Sequence, residues 1–537
     1  MGIWEPTPDD LARVFVDQNP WGHLGSVPAA LAPPVERPLA RVLWRRLLDN
    51  QPRRYHVILG PRRVGKTTVL YQTVQHLITR GIDPRRVFWL RMDHPCLMQV
   101  DMGDLVRLVI RISGATPEQP AYLMLDELVY AEKWDLWLKT FYDEQWPVRI
   151  AATSSATAAL RDRRIESGVG RWEEQYLLPY SFGEFLELMH DVVAVDATEA
   201  AGSTLGETLR SLPEALHSSV SLESSRRMFM LIGGFPELLI QSYNELSRAE
   251  AVGDDSGGGP AVRPQPLVNP TGGSEAAQTL VNQVLTSQQI LRSDAVERAI
   301  YKDIPQSFGV DDPLRLERLL YLLAGQITGL LSPSKICSAL DLSQPTFDKY
   351  LSYFEQTFLV FRLPNYSGSE TNVQRRGRKL YFVDGAVRNA ALQRGLRPFD
   401  DPVEQGLLIE NLAATSLKAL AQQSGLRLFH WRDGKYEVDL VLDDPNDPLA
   451  FEIASSMDHR RTGLLEFAER HRRFRGRCYL VAPQAPTRHP NQTGTDVGTL
   501  PLDMFLLTAG VQAQRALDLP FGRAEVMRSE PSDGLDL

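Results

Sequence analysis

The nine residues GPRRVGKTT, at positions 60–68, decide the fold of the first part of this chain. They match the pattern G-x-x-x-x-G-K-[ST] at every fixed position. A short apolar stretch, Tyr55 to Leu59, precedes them, and apolar residues at helical spacing follow between Thr67 and Thr79. This order of strand, glycine loop and helix predicts a loop that binds the phosphates of a nucleotide. It disfavours the alternative of an ordinary glycine-rich turn.

The residue types in this loop suit phosphate oxygens and a magnesium ion. Gly60 and Gly65 let the backbone bend so that its N–H groups point at phosphate oxygens, above the positive end of the helix dipole. Lys66 is expected to reach the β- and γ-phosphates, and the Thr67 hydroxyl is expected to ligate Mg²⁺. The sequence therefore predicts ATP and Mg²⁺ as ligands. The predicted nucleotide-contacting residues are Gly60, Pro61, Arg62, Arg63, Val64, Gly65, Lys66, Thr67 and Thr68.

A pair of acidic residues follows a second apolar strand. The segment 122–127 reads YLMLDE, and one predicted strand and one predicted helix separate it from the glycine loop. Asp126 is expected to hold Mg²⁺, and Glu127 is expected to orient and polarise the attacking water. An apolar strand ending in Asp-Glu is common by itself, but its position after the loop favours an ATPase.

Two further polar positions are candidates for a role in hydrolysis. The strand 148–152 ends in Thr153-Ser154-Ser155, where a side chain can sense the γ-phosphate. We assign that role to Ser155 first and to Thr153 second, with capping of a following helix as the alternative. Arg171 precedes the next predicted strand, where it could act as an arginine finger on a nucleotide held by a neighbouring subunit. A surface salt bridge is the other interpretation of Arg171, and composition does not separate the two.

Composition limits what the rest of the chain can be. Its 537 residues predict three or four domains, and its net charge of −9 argues against a generally basic nucleic-acid-binding surface. The three cysteines are far apart, which supports neither a disulfide framework nor a zinc site and favours a reducing cytosol. No signal-peptide pattern and no apolar run of bilayer-spanning length occurs. We therefore expect a cytoplasmic protein with no membrane partner.

Several phrases in a fixed order resemble a known group of proteins. They resemble prokaryotic AAA+-type ATPases, near the archaeal ATPase branch, that carry a C-terminal domain of unknown function with a restriction-endonuclease-like fold. The resemblance implies an α/β multidomain fold. A P-loop NTPase core with a central parallel sheet would come first, followed by a helical lid, a winged helix-turn-helix and the endonuclease-like domain. The phrases are the loop 60–68, Leu125-Asp126-Glu127 with Trp134 and Trp137, Arg171 with 179–182, 233–237, 382–385, Glu410-Asn411 and 437–439.

The resemblance and the composition together predict domain boundaries. Two stretches, 191–225 and 250–276, are rich in small, polar and acidic residues and are expected to be flexible insertions in the lid. The predicted order is an N-terminal extension (1–34), the ATPase core (35–190), the lid (191–312), the winged helix (313–395), the endonuclease-like domain (396–485) and a loose tail (486–537).

The predicted winged helix suggests a surface for DNA. Two helices, Ser332 to Leu340 and Gln344 to Glu355, precede a strand at 358–363. The second helix could enter a DNA groove, and a basic cluster sits where a wing would contact phosphates. Winged helices also serve in dimerisation and domain packing, so DNA stays one of two possible partners. The candidate DNA contacts are Lys349, Arg375, Arg376, Arg378 and Lys379.

The C-terminal region carries an acidic set without its usual basic partner. The resemblance implies that Glu410, Asp439 and Glu452 converge on a divalent metal. An active nuclease of this fold places a lysine two residues after the acid at the Glu452 position, and Ala454 stands there. Lys435 could substitute if its strand extends. A retained fold with weak or no cleavage is the simpler interpretation.

The sequence thus favours an ATP-hydrolysing AAA+-type protein whose nucleotide state switches the arrangement of its later modules. Two alternatives remain open at this point. One is a nucleotide-gated DNA-binding or regulatory protein with negligible turnover, and the other is an ATP-dependent nuclease. A homo-oligomer assembled through Arg171 is a further expectation.

Overall fold

The fold is known from a computed structural model, which divides the chain into two compact units. The first unit covers residues 1–177 and the second covers residues 178–537. The structure describes residues 6–155, 170–190, 204–211, 221–241, 275–367, 369, 373, 377–490 and 497–518.

The first unit is built on a sheet of five parallel strands in the order β2-β3-β4-β1-β5. The two strands β1 and β3 are buried at every position, as expected for a parallel sheet covered on both faces. This is the central parallel sheet predicted from the sequence. The strands are β1 (Tyr55–Leu59), β2 (Val87–Arg91), β3 (Ala121–Asp126), β4 (Val148–Ser154) and β5 (Trp172–Tyr176).

Helices surround this sheet, and the glycine loop leads into one of them. The predicted helix after the loop is confirmed as α4, which starts at Lys66 and buries Val69, Leu70 and Val74. Short 3₁₀ turns at 84–86, 97–99 and 128–130 complete the connections. The helices are α1 (Pro8–Gln18), α2 (Trp21–Leu24), α3 (Pro38–Asp49), α4 (Lys66–Thr79), α5 (Met102–Ser113) and α6 (Trp134–Asp143).

Residues 6–34 are packed against the first unit instead of forming a separate extension. The Trp21 indole is fully buried, and its Nε1–H donates to the carbonyl oxygen of Val87 at 2.8 Å. The Asn19 side-chain oxygen accepts from the backbone N–H of Trp89 at 2.6 Å. Both partners lie on β2. Residues before the expected boundary at 35 therefore already pack against the sheet of the first unit.

The second unit begins with helices that the sequence assigned to the ATPase core. The segment 182–190 packs here through its aromatic side chains, with Phe185 and Phe229 ring centroids 5.0 Å apart. The first compact unit therefore ends at residue 177, before the predicted core boundary at residue 190, which stays a prediction. The helices up to residue 356 are α7 (Phe182–His190), α8 (Leu205–Arg210), α9 (Leu222–Ile232), α10 (Glu275–Leu291), α11 (Ile304–Phe308), α12 (Pro313–Ala324), α13 (Pro333–Leu340) and α14 (Gln344–Gln356), with π-helical turns at 292–297 and 299–303.

A two-stranded antiparallel hairpin follows α14, and the assignment of this region as a winged helix stays a prediction. It consists of β6 (Val360–Leu363) and β7 (Lys379–Phe382). Three helices then lead to the last domain: α15 (Gly385–Ala391), α16 (Arg397–Asp400) and α17 (Pro402–Ser424). The expected insertion at 250–276 lies, up to residue 274, outside the described residues, and so do residues 191–203 and 212–220 of the other insertion.

A mixed five-stranded sheet with the order β12-β11-β10-β9-β8 forms the last domain. Neighbours β8, β9 and β10 run antiparallel, whereas β10, β11 and β12 run parallel. The strands are β8 (Arg427–Asp433), β9 (Tyr436–Asp443), β10 (Leu449–Ile453), β11 (Cys478–Ala482) and β12 (Val497–Pro501), with α18 (Thr462–Arg470) and a 3₁₀ turn at 472–474 between β10 and β11.

The expectation of a loose tail from residue 486 is wrong for residues 497–518. These residues form the edge strand β12 and the helix α19 (Leu502–Asp518). Phe505, Leu506 and Ala509 of α19 are fully buried in the core of the second unit. Such a run of apolar residues at helical spacing gains too much from burial to remain loose in solvent. Residues 519–537 lie outside the described part of the chain.

A buried histidine in β1 gives the first unit a predictable response to acid. Burial, with a smaller effect from Arg46 and Arg54, lowers the pKa of His56 from 6.5 to about 3. His56 is therefore neutral at pH 7, and its 3.7 Å approach to Glu173 is not an ion pair there. Below pH 6.5 the unfolded chain binds a proton that the folded unit excludes, so the free energy of unfolding falls as pH falls.

We predict that this group costs about 2 kcal/mol of stability between pH 7 and pH 5. His56→Gln should flatten the pH dependence of unfolding over that interval, because Gln has no proton to gain. Tryptophan fluorescence reports the unfolding of the first unit, since eight of the nine tryptophans precede residue 178. Equal slopes for the wild type and the variant would contradict the assignment.

Candidate functional site

The glycine loop requires its two fixed glycines for different steric reasons. A Cβ on Gly60 would lie 2.1 Å from the carbonyl oxygen of Leu177, so no larger residue fits without a backbone shift. Gly65 precedes α4 with φ of 91°, a left-handed conformation that side chains rarely adopt. The pattern match and the backbone geometry therefore agree at both positions.

Lys66 lies at the start of α4 with its side chain folded over the loop. Its ammonium group donates to the carbonyl oxygens of Gly60 and Pro61 at 3.0 and 2.8 Å. The residue is only 6% exposed, so the positive charge is held inside the loop. Its role in binding phosphate stays a prediction.

Asp126, at the end of β3, is held between two hydroxyl groups. Thr67 Oγ1 donates to one carboxylate oxygen at 2.8 Å, and Thr153 Oγ1 donates to the other at 2.5 Å. Burial is the main cause that raises the pKa of Asp126, while the two hydroxyl donors and Lys66 act in the opposite direction. A buried carboxylate bonded mainly to neutral donors has electrostatic capacity for a cation.

The adjacent Glu127 occupies an unusual backbone conformation. Its φ is 55°, in the left-handed region that residues other than glycine rarely adopt. The backbone N–H of Glu127 donates to Thr153 Oγ1 at 3.0 Å. Ser155 Oγ donates to the Glu127 carboxylate at 3.2 Å. Ser155 and Glu127, which the sequence assigned separately, are therefore in direct contact.

The sequence named Thr153 only as the second candidate for sensing the γ-phosphate and did not identify its contacts with the two acidic residues. Its single hydroxyl donates to Asp126 and accepts from the backbone of Glu127, so it fixes both acidic residues at once. The pairing of β3 with β4 places Leu125 opposite Ala152, and hence Thr153 beside Asp126. That register was the missing signal, since the sequence shows the two strands but not their alignment.

The residues at the loop fit a magnesium ion. Thr67 and Asp126 are in hydrogen-bond contact, and both present oxygen atoms, which are the ligands that magnesium prefers. These are the two ligands that the sequence predicts, and Lys66 and Glu127 flank them.

Arg171 does not lie with the glycine loop and the acidic residues of its own chain. It precedes β5, and its carbonyl oxygen accepts from Tyr55 at the start of β1, whereas the glycine loop follows the end of β1. Its guanidinium group binds Asp143 through two hydrogen bonds of 2.8 and 3.0 Å. The salt bridge considered as an alternative for Arg171 is therefore present. It lies at the start of β1, whereas the glycine loop lies at the end of β1.

The C-terminal acidic residues lie around a lysine that the sequence placed elsewhere. Lys379 Nζ lies 3.1 Å from a Glu410 oxygen and 2.8 Å from an Asp439 oxygen, and the residue is 2% exposed. The prediction that Lys379 contacts DNA phosphates is wrong, because its ammonium is buried among carboxylates. The Lys435 ammonium lies 5.2 Å from the ring centre of Tyr436.

Glu452 approaches the same cluster but binds a different partner. One of its oxygens accepts from His459 Nε2 at 2.9 Å. Burial first, and then the negative charge of Asp439, raises the pKa of Glu452 to about 7. Within the described residues, no group of three or more His, Cys, Asp or Glu side chains is arranged to hold a metal ion. The expected convergence on a metal is therefore not seen there.

The remaining candidate DNA contacts are spread over different environments. Lys349 is exposed on α14, and Arg378 is partly exposed next to β7. Arg375 and Arg376 lie outside the described residues. The described structure thus leaves Lys349 and Arg378 as candidates for a nucleic-acid surface.

Comparisons with known families match three regions of the chain, and the first of these extends nine residues past the end of the first unit. Residues 52–186 match a family described as "AAA domain", which covers the sheet and the loop described above. Residues 279–397 match "Domain of unknown function (DUF8612)", and residues 405–498 match "Domain of unknown function (DUF4143)". The first unit is therefore similar to AAA-type domains, which supports a nucleotide-binding, ATPase-like function.

Related whole chains carry no assigned function. An uncharacterized protein of Methanocaldococcus jannaschii, MJ1637, is 23% identical over 74% of each chain. A second from that organism, MJ1544, is 22% identical over 74% of each chain. An uncharacterized Haemophilus influenzae protein is 21% identical over 66% of this chain and 74% of its own.

One solved structure, titled "Structure of C. elegans PCH-2", aligns with 46% of this chain and 64% of its own at 13% identity and a TM-score of 0.22. A superposition this loose supports no conclusion about the fold. Among the described residues, no helix is both long enough and apolar enough to cross a membrane.

The double role of Thr153 predicts a specific effect on magnesium-dependent binding. Thr153→Val keeps the shape but removes the hydroxyl, so Asp126 loses a charge-assisted hydrogen bond. We expect the gain in ATP affinity on adding Mg²⁺ to fall by about tenfold, consistent with ~1.5 kcal/mol for such a bond. Isothermal titration with and without EDTA measures it. Thr153→Ser, which keeps the hydroxyl, serves as the control, and an unchanged magnesium effect in Thr153→Val would count against this role.

Proposed function

We propose that this protein is a magnesium-dependent ATPase of the AAA type. The observation that carries the proposal is the arrangement around Asp126, where Thr67 and Thr153 hold the carboxylate beside the glycine loop. A loop that only binds nucleotide needs no second acid, yet Glu127 directly follows Asp126 and its carboxylate accepts from Ser155. The family match of residues 52–186 supports the same class of function.

Each side chain has a separate task in the proposed reaction. Lys66, now bonded to Gly60 and Pro61, would exchange these carbonyl oxygens for phosphate oxygens of ATP. Magnesium, held by Thr67 and Asp126, would neutralise charge on the β- and γ-phosphates. Glu127 would accept a hydrogen bond and then a proton from the water that attacks the γ-phosphorus, while the bond to the β-phosphate oxygen breaks.

Ser155 is placed to link the state of the nucleotide to the state of Glu127. Its hydroxyl has one proton to donate, and it donates this proton to Glu127. If Ser155 senses the γ-phosphate, as its position after β4 suggests, the same proton would go to a phosphate oxygen when ATP is bound. Glu127 would then be released to bind water. This exchange would keep the base restrained until the substrate is complete.

The later modules are the proposed targets of this cycle. The helices α13 and α14 with the hairpin β6–β7 have the order of a winged helix, and Lys349 and Arg378 are its described candidate DNA contacts. A nucleotide-gated DNA-binding protein with negligible turnover is the runner-up function. It predicts nucleotide binding without hydrolysis, and an ATP-dependent nuclease predicts cleavage of duplex DNA in addition.

The division of labour between Lys66 and Glu127 separates these functions. Lys66→Ala should abolish ATP binding, because the buried cation that pairs with the phosphates is lost. Glu127→Gln should bind ATP with near wild-type affinity but lower turnover by about 10²-fold or more, because an amide cannot take the proton. Phosphate release and fluorescent-nucleotide titration measure the two steps. Wild-type turnover in Glu127→Gln would rule out the base assignment, and no turnover in the wild type would favour the gated binder.

The Arg171–Asp143 pair allows a test of assembly. If Arg171 acts on a neighbouring subunit's ATP, Arg171→Ala should lower turnover by about 10³-fold with little change in ATP affinity, because a finger acts in the transition state. Turnover per chain should then rise with protein concentration. Asp143→Asn is the matched control, since it breaks the same exposed ion pair but keeps the arginine. Equal, small effects of both variants would show that Arg171 serves only the salt bridge.

A further inference from the structure

A buried lysine in the second unit is surrounded by carboxylates from other elements. Lys379 starts β7, in the hairpin that follows α14. Its Nζ lies 3.1 Å from a Glu410 oxygen on α17, and 2.7 and 2.8 Å from oxygens of Glu437 and Asp439 on β9. The side chain is 3% exposed. One cation from the hairpin is therefore enclosed by acids from the last domain.

Both hydrogen bonds and charge hold the Lys379 ammonium in place. This compact cation donates to carboxylate oxygens of Glu410 and Asp439, and it forms an ion pair with Glu437 at 2.7 Å. The same Glu410 oxygen also accepts from the Tyr381 hydroxyl at 2.9 Å. The second oxygen of Asp439 accepts from the backbone N–H of Ile453 at 2.9 Å. The carboxylates are thus oriented by bonds from both β7 and β10.

The charged groups around this pocket can be named element by element. On β8, Arg432 pairs with the second Glu437 oxygen at 3.3 Å. His430 bonds the carbonyl oxygen of Gly377, and burial lowers its pKa to about 4, so it adds no charge near pH 7. On β10, Glu452 is bonded to His459. Lys379 is consequently the buried cation that faces Glu410 and Asp439 together.

The resemblance stated from the sequence implies a divalent metal among these acids, and the side chains do not fit one as they stand. A calcium ion needs oxygen atoms at 2.3–2.6 Å, and magnesium needs them at 2.0–2.1 Å. The ammonium nitrogen of Lys379 already occupies the point between the oxygens of Glu410, Glu437 and Asp439. A metal ion could take that point only if the lysine side chain left it.

We propose that Lys379 is the resident cation of this acidic pocket. Its ammonium takes the position that a divalent metal would hold, keeps metal ions out, and ties the hairpin β6–β7 to the sheet of the last domain. The acids are then retained as partners of the lysine and not as metal ligands. The pocket becomes a divalent-cation site only when the lysine side chain is removed.

Manganese binding to the full-length chain tests this proposal. Electron paramagnetic resonance counts bound Mn²⁺, and an Asp126→Asn background removes the contribution of the nucleotide site. With Lys379 present, we expect no ion that depends on Asp439. Lys379→Met should bind one additional Mn²⁺ per chain, and Lys379→Met combined with Asp439→Asn should lose it. Lys335→Met, which removes an exposed lysine on α13, is the matched control and should gain none.

Thermal unfolding supplies a second measurement that is independent of ion counting. Lys379→Met should unfold at a lower temperature than the wild type, and Mn²⁺ or Ca²⁺ should raise its Tm while leaving that of the wild type unchanged. Lys379→Gln, which keeps a polar side chain, extends the test if Lys379→Met folds poorly. An Asp439-dependent ion in the wild type would overturn the proposal. Failure of both lysine variants to gain an ion or a metal-dependent Tm would also overturn it.

Discussion

The candidate active site depends on one carboxylate held by two hydroxyls. Asp126 accepts from Thr67, which belongs to the glycine loop, and from Thr153, which belongs to a neighbouring strand. These two bonds join the nucleotide loop, the magnesium position and the strand that carries Ser155 into one rigid group. Because Asp126 is buried, neither hydroxyl can be replaced by water without cost. The precision of the site therefore comes from strand register, and the chemistry comes from the loop.

The same chain contains a second buried acidic group that is organised in the opposite way. Asp126 has neutral hydroxyl donors at its oxygens and so has capacity for an added ion. Asp439 has the positively charged ammonium of Lys379 at 2.8 Å and so needs no added ion. Two aspartates with similar burial thus differ in what they can bind, and the difference lies in the partner that the fold brings to each. Counting acidic residues in the sequence would treat them alike.

Local signals in the sequence predicted much of the first unit, and distant pairings limited the rest. The strand 55–59 and the helix after the glycine loop follow from apolar spacing alone, and the structure confirms both. The role of Thr153 depends on the alignment of β4 with β3, which apolar runs do not specify. Lys379 lies 60 residues from Asp439 in the sequence. The basic residues just before Lys379 suggested instead that it belongs to an exposed DNA-binding surface. The segment 497–518 follows a stretch rich in Pro, Thr and Gly, which hid a buried strand and helix.

The position of α19 has a consequence for how the protein is made. Asp503 of α19 binds Arg226 at 2.5 Å, and Gln512 donates to Thr208 at 2.5 Å, so the last described helix packs on some of the first helices of its unit. A ribosome releases these early helices nearly 300 residues before their partner emerges. The first unit, complete at residue 177, can fold while synthesis continues. The second must keep apolar helix faces uncovered for most of its translation, which makes it the part of the nascent chain that most needs protection by chaperones.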